Sequence, residues 1–251
     1  MNLSITKVST FQDCPRKYWY SYEADIKAKK SEGFYFGGAV HEGLENYYNK
    51  KDPMEAIKRS LFGKKETERE QAMWGVDPYK LLKDARKIFD VYQKKAPNWK
   101  PMFVELMFDV PIIHPDTKRE LLSRLIGKID LITIKAEVID HKTGSGGSNG
   151  MWDKKNKLQA AGYIYAYWYK FQKLPTAFIF NNITKATTKN EAEVNPTPFI
   201  FDRSILLWFF EEMERSEKEL QNPNLSITIS KSHCRFCQYH DICQYSKGDV
   251  L

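Results

Sequence analysis

A chain of 251 residues with 42% hydrophobic and 14% aromatic content can bury one sizeable core, which excludes a disordered chain. Its 39 basic and 32 acidic residues leave a formal charge of +7, which favours a polyanionic partner only weakly, because surface lysines alone give such a number. No apolar run approaches a membrane span; the nearest, Ser204 to Phe210, is flanked by Asp202, Arg203, Glu211 and Glu212, so no membrane partner is expected. The opening residues MNLSITKVSTF lack the basic-then-apolar pattern of a secretory signal, and a cytoplasmic location is expected.

Helical periodicity dominates the first hundred residues. Ser9 is placed to cap a helix carrying Phe11, Cys14 and Tyr18, with Pro15 in its first turn or distorting it. Gly37 and Gly38 precede a second expected helix, about Ala39 to Asn49, ended before Pro53. Residues 54–95 read as charged amphipathic helices, an insertion expected to stand as a lobe outside the core. After Pro101 the pattern turns to strands: MFVELMFDVPII, LLSRLIGKIDLITI and EVIDHKTG, divided by HPDTKRE and a short turn near Lys135 to Glu137. A glycine-rich stretch, Thr143 to Gly150, leads to a helix from about Lys154 to Phe171. A strand at Thr176 to Asn181 and a helix at Arg203 to Leu220 follow. This order implies one α/β domain over 1–251 with a central mixed sheet flanked by helices.

The cysteines are unevenly spread. Cys234, Cys237 and Cys243 lie together in CRFCQYHDIC, and Cys14 lies far upstream in DCPRKYWY. A Cys-x2-Cys-x5-Cys group with one remote partner reads as a four-thiolate site joining segments 14 and 234–243. Either zinc or an iron–sulfur cluster would accept those ligands. In a reducing compartment such thiols suit metal better than disulfides.

GKIDLITIKAEVIDHKTG reads as a hairpin. Asp140 and Lys142 are two apart on one strand and share a face, while His141 points away. Asp130 joins that face if the register pairs it with residue 140 or 142, which requires a connection of odd length. Ile129, Leu131, Val138 and Ile139 would bury the hairpin and leave two carboxylates and an ammonium in a low-dielectric setting. That arrangement is costly without a cation or substrate. Carboxylate oxygens suit Mg²⁺ or Mn²⁺, which would polarise a phosphoryl oxygen and acidify water, with Lys142 orienting the attacking water. A lone Asp-x-Lys is more often a surface pair, so the neighbouring motifs carry the weight.

Those motifs fall in one order: SxxxxCPRKYWY from Ser9, GGAVHEGLE, GKIDLI, VIDHKTG, LQAAGY and CRFCQYHDIC. Together they resemble the RecB-family PD-(D/E)XK nucleases, in particular CRISPR-associated iron–sulfur exonucleases and the AddB-type nuclease domain. The resemblance implies a restriction-endonuclease-like core with an N-terminal helical lobe. It implies Mg²⁺ or Mn²⁺ at His41, Asp130, Asp140 and the backbone carbonyl of His141, with Lys142, Asp140, Asp130 and Gln159 as catalytic residues. It favours a [4Fe–4S] cluster over zinc at Cys14, Cys234, Cys237 and Cys243.

The remaining candidates are more open. Gln159 and Tyr163 lie four apart on one helical face and would touch substrate, orient Lys142, or simply pack against the sheet. Lys154, Lys155 and Lys157 would contact phosphates or be solvated. Glu105 is either a second-metal or supporting carboxylate or an edge-strand charge, and His114 matches no motif and is expected to be exposed. The function expected is a metal-dependent DNA exonuclease acting at single-stranded ends. The alternative is a DNA-end-binding or trimming subunit of a CRISPR-adaptation or phage-recombination complex. No Gly-x4-Gly-Lys-Ser/Thr signature occurs, so a nucleotide-driven motor would be a separate chain.

Overall fold

The computed structural model describes residues 1–28, 30–63, 75–144, 154–185, 191–221, 223, 234–235 and 237–243. Residues 145–150 of the glycine-rich stretch lie outside them. The strands are β1 (Asn2–Leu3), β2 (Pro101–Ile113), β3 (Glu120–Thr133), β4 (Glu137–Gly144), β5 (Ala177–Thr184) and β6 (Glu193–Phe199). They form one six-stranded sheet in the order β1-β3-β4-β5-β6, with β2 also paired to β3. β1 runs parallel to β3, β3 antiparallel to β4, β4 parallel to β5, and β5 antiparallel to β6, so the sheet is mixed, as the sequence implies. The chain divides into two compact units: Met1–Lys30 with Asp109–Gly127 and Arg203–Leu251, and Ser31–Phe108 with Lys128–Asp202.

In the larger unit, α3 (Glu32–Tyr48) begins earlier than the glycine pair suggests, because Ser31 caps it by accepting from the Phe34 amide. Gly37 and Gly38 therefore lie inside the helix. A methyl group at Gly37 would sit 3.1 Å from Thr143 Oγ1 of β4, and one at Gly43 would come within 2.8 Å of Phe89 and 2.9 Å of Ile57. Glycine here provides close approach to the sheet and to the next helices, which outweighs its poor helix propensity. α4 (Pro53–Phe62) and α5 (Pro78–Lys95) each start at an Asp-Pro pair, the aspartate capping and the proline fitting the first helical position.

These two helices do not stand apart as a lobe. Ile57, Leu61, Leu81, Ile88 and Phe89 share one buried cluster with Phe36, Val40 and Leu44 of α3 and with Leu131, Ile139 and Ile183 of the sheet. Their charged positions gave the impression of independence, but the apolar stripe of each helix covers one sheet face. α6 (Lys154–Phe171) lies against the other face, where Tyr163 meets Phe178 of β5 at 6.4 Å between ring centroids.

The β3–β4 connection is the three residues 134–136, with Ala136 at φ 63°. Thr133 Oγ1 accepts from the amides of Lys135 (3.3 Å) and Glu137 (3.2 Å), which fastens the turn. The odd length sets Leu131 opposite Ile139 and Ile132 opposite Val138. β6, absent from the sequence expectations, carries Pro196 and Pro198, whose missing donors suit a strand at the end of the sheet order.

In the smaller unit the first helix is also shifted. Ser4, not Ser9, caps α1 (Ile5–Asp13), and the chain breaks at Cys14, whose thiol accepts from the Lys17 amide at 3.4 Å and caps α2 (Pro15–Tyr18). Pro15 thereby occupies a first helical position rather than distorting a helix. A π-helical turn, Trp19–Glu23, follows. α7 (Ser204–Gln221) is joined to β3 by Glu217, whose buried carboxylate accepts from the Ser123 amide at 2.6 Å. His114 is half-buried rather than exposed. Its Nδ1 accepts from the amides of Asp116 and Thr117, and its ring lies 4.9 Å from that of Phe210. Among the described residues, no helix is long and apolar enough to cross a membrane.

Candidate active site

The antiparallel pair β3–β4 builds the base of the site. Continuing its register by one residue sets Asp130 opposite Asp140, but there the backbone ladder gives way to a side chain: Asp130 Oδ2 accepts from the His141 amide at 2.8 Å. Both carboxylates are buried, with 7% and 2% exposure. Burial and then the neighbouring Asp140 charge raise the Asp130 pKa, opposed by the His141 amide. Removing the Asp130 proton is therefore part of the cost of loading any cation here.

Flanking elements complete the cluster. His41 on α3 places Nδ1 3.6 Å from Asp130 Oδ2. Burial lowers its pKa, which keeps the imidazole neutral with a lone pair free to ligate. Lys142 Nζ lies 2.9 Å from Asp140 Oδ2. From α6, Gln159 accepts from Lys142 through Oε1 and donates through Nε2 to Asp140 Oδ1 at 2.8 Å and to the Tyr163 hydroxyl at 3.4 Å. The glutamine thus bridges the ammonium and the carboxylate.

His141 faces the opposite side of the strand, as alternation requires. Its ring stacks on Tyr48 at 5.8 Å, and its Nδ1 lies 2.9 Å from Asn181 Nδ2 of β5. Burial, more than the neighbouring His41, pushes its pKa down to about 3, so the ring is neutral and Nδ1 accepts. Asn181 also donates to Tyr92, whose hydroxyl lies 2.7 Å from that of Tyr48. This polar seam fixes the back of β4 while its front carries Asp140 and Lys142.

Glu105 and Lys128 are the additions that sequence reading left open or missed. The ligand atoms of His41, Glu105 and Asp130 all lie within 4.8 Å of one another, and Lys128 pairs with Glu105. Asp140, expected in the ligand set, is engaged by Lys142 and Gln159. Its Oδ2 and Glu105 Oε2 are buried, each facing a lysine ammonium (Lys142 and Lys128) without an aligned hydrogen bond. Carboxylate oxygens left so, beside a neutral imidazole, fit a hard divalent ion such as Mg²⁺ or Mn²⁺. The signal for Lys128 was its place two residues before Asp130 in GKID, on the same strand face. Lys154 and Lys155 are exposed in the first turn of α6, and Lys157 is half-buried there.

The four thiols converge in the smaller unit. Cys14 and Cys243 are buried, Cys234 and Cys237 half-buried, and none forms a disulfide. Burial raises the pKa of Cys14 and of Cys234, and the charges of neighbouring cysteines raise each further. Mutually repelling thiolates become favourable once a metal centre takes up their charge. Tyr239, between Cys237 and Cys243, accepts from Ser21 Oγ at 3.0 Å and donates to the Ile26 carbonyl at 3.1 Å, which ties this segment to the N-terminal one.

A family model described as the PD-(D/E)XK nuclease superfamily matches residues 2–244. A solved structure of a candidate exonuclease from Eubacterium rectale is similar with a TM-score of 0.63 at 11% identity, covering 100% of this chain and 88% of that one. At that identity the likeness is one of fold. The structure of SSO0001 is similar over 89% of this chain and 91% of that one at 16% identity, with a TM-score of 0.38 that bears no argument. No curated protein matches the chain.

Proposed function

The chain belongs to the PD-(D/E)XK nuclease superfamily, and on that footing we propose that it is a metal-dependent DNA exonuclease acting at single-stranded ends. The observation that carries this reading is the meeting of Asp130, Asp140 and Lys142 on one strand pair with His41 and Gln159 from helices on either side. We assign the divalent ion to His41, Asp130, Asp140 and the backbone carbonyl of His141. When bound, Mg²⁺ or Mn²⁺ supplies positive charge beside the phosphoryl oxygens. Lys142 holds the attacking water and offsets developing negative charge through its ammonium. Gln159 keeps that ammonium aimed by holding it against Asp140. Tyr163, Lys154 and Lys155 contact the nucleic acid beyond the scissile phosphate. The four cysteines are assigned to a [4Fe–4S] cluster that joins the two segments bearing them.

Anaerobically purified protein tests this on labelled linear and circular DNA, single- and double-stranded. Mn²⁺-dependent loss of linear single strands, with circles spared, is the expected result. Degradation of circles at the same rate would make the enzyme an endonuclease. Tight end binding without cleavage would favour a trimming subunit of a CRISPR-adaptation or recombination complex. The pH dependence has a definite sign. The raised Asp130 pKa means that the ion must displace a proton, so the Mn²⁺ concentration for half-maximal rate should rise as pH falls through the Asp130 titration.

A further inference from the structure

β2 carries a fault that regular strand geometry does not explain. Phe103 meets Phe171 of α6 at 5.8 Å, and Phe108 meets Tyr163 of α6 at 6.1 Å. Residues five apart in a period-2 strand belong on opposite faces. The extra residue is absorbed at Glu105, whose φ of 55° is left-handed, a conformation that costs a non-glycine residue about 1–3 kcal/mol. Such bulges re-aim a side chain and persist where the surroundings enforce them. Here the re-aimed carboxylate, with only 11% of its side chain exposed, comes to rest beside His41 and Asp130. Its partner there is the Lys128 ammonium, which approaches from the same β3 face as Asp130.

Three carboxylates, Glu105, Asp130 and Asp140, thus share one partly buried space with two ammonium groups. Lys142 is taken by Asp140 and Gln159. Lys128 is placed where a cation is needed to balance Glu105. We propose that Lys128 is the internal cation of the ion-free site, and that a divalent ion takes Glu105 from it as a ligand. This rests on the metal assignment above and adds to it an exchange between two cations at one carboxylate. It gives the bulge a purpose: Glu105 is held within reach of both. It also spares the ion-free fold an unpaired buried carboxylate, since Glu105 is paired in either state.

Mn²⁺ titration calorimetry and thermal melting of wild type, Lys128→Met, Lys128→Arg and Glu105→Gln test the exchange without reference to activity. Removing the competing ammonium in Lys128→Met should tighten Mn²⁺ binding by about 10-fold, within the usual range of coupled binding. Lys128→Arg keeps the charge and should bind as wild type does. Glu105→Gln should weaken binding by about 10-fold or more. The melting temperature of Lys128→Met should lie below wild type without Mn²⁺ and gain more than wild type when it is added. Even if Lys128→Met folds poorly, the Glu105→Gln titration decides whether that carboxylate is a ligand. Unchanged or weaker affinity in Lys128→Met, or wild-type affinity in Glu105→Gln, overturns the exchange while leaving the metal site standing. Failure of wild type itself to bind Mn²⁺ would overturn the metal site with it.

Discussion

Lys142→Met should lower the rate of DNA cleavage by about 10³-fold, the loss typical of a charged group that acts on the reacting atoms. Methionine keeps most of the side-chain volume, so β4 and its packing on Phe180 survive. The ammonium that lies 2.9 Å from Asp140 and meets Gln159 is what disappears. DNA affinity should stay within about twofold, because one phosphate-adjacent charge among many contributes little to overall binding. Single-turnover cleavage with saturating Mn²⁺, alongside binding measured without the ion, separates the two effects. A variant that cleaves at the wild-type rate removes Lys142 from the chemistry.

The second large effect is on stability. Phe89→Ala should destabilise the protein by about 3–5 kcal/mol, the usual cost of emptying an aromatic site in a packed core. Phe89 is 2% exposed on α5, and its ring edge fills the space left by Gly43 of α3. It also lies 6.1 Å from Tyr92, which the Asn181–His141 seam connects to the back of β4. A cavity there loosens the support beneath both His41 and Asp140. Urea unfolding followed by circular dichroism gives the size, and a loss below about 1 kcal/mol would show that the site collapses to fill the void.

Much of the fold was legible because the strands obey simple alternation. The three long strands, the helix at Lys154 and the odd connection before Glu137 follow from apolar patterning and turn residues. Helix starts were less legible. Ser9 and the Gly37-Gly38 pair look like boundary signals, but a cap is set by which amides lack partners, and Ser4 and Ser31 meet those amides first. Glycines inside α3 are explained only by what they touch, Thr143, Phe89 and Ile57, and none of these is near in sequence. The strand β6 escaped because prolines argue against strands except at an edge, and edges are visible only once neighbours are placed.

The site divides in the same way. Asp130, Asp140 and Lys142 were readable because one register fixes all three on a face, and the structure brings them together with His41, Gln159 and Tyr163. Glu105 stayed ambiguous because a bulge breaks the alternation by which strand residues are assigned to faces. Lys128 was missed because lysine in a strand reads as a solvated charge until its carboxylate partner is seen. That the four cysteines lie near one another needed no register to foresee, only their spacing and one remote partner.

Anomalous diffraction from crystals of the active enzyme grown with Mn²⁺ tests the central claim most directly. The account predicts a peak within bonding distance of Asp130, with His41 and Asp140 in the same coordination shell. A cleaving enzyme whose Mn²⁺ sits elsewhere, with those three side chains unligated, would contradict it.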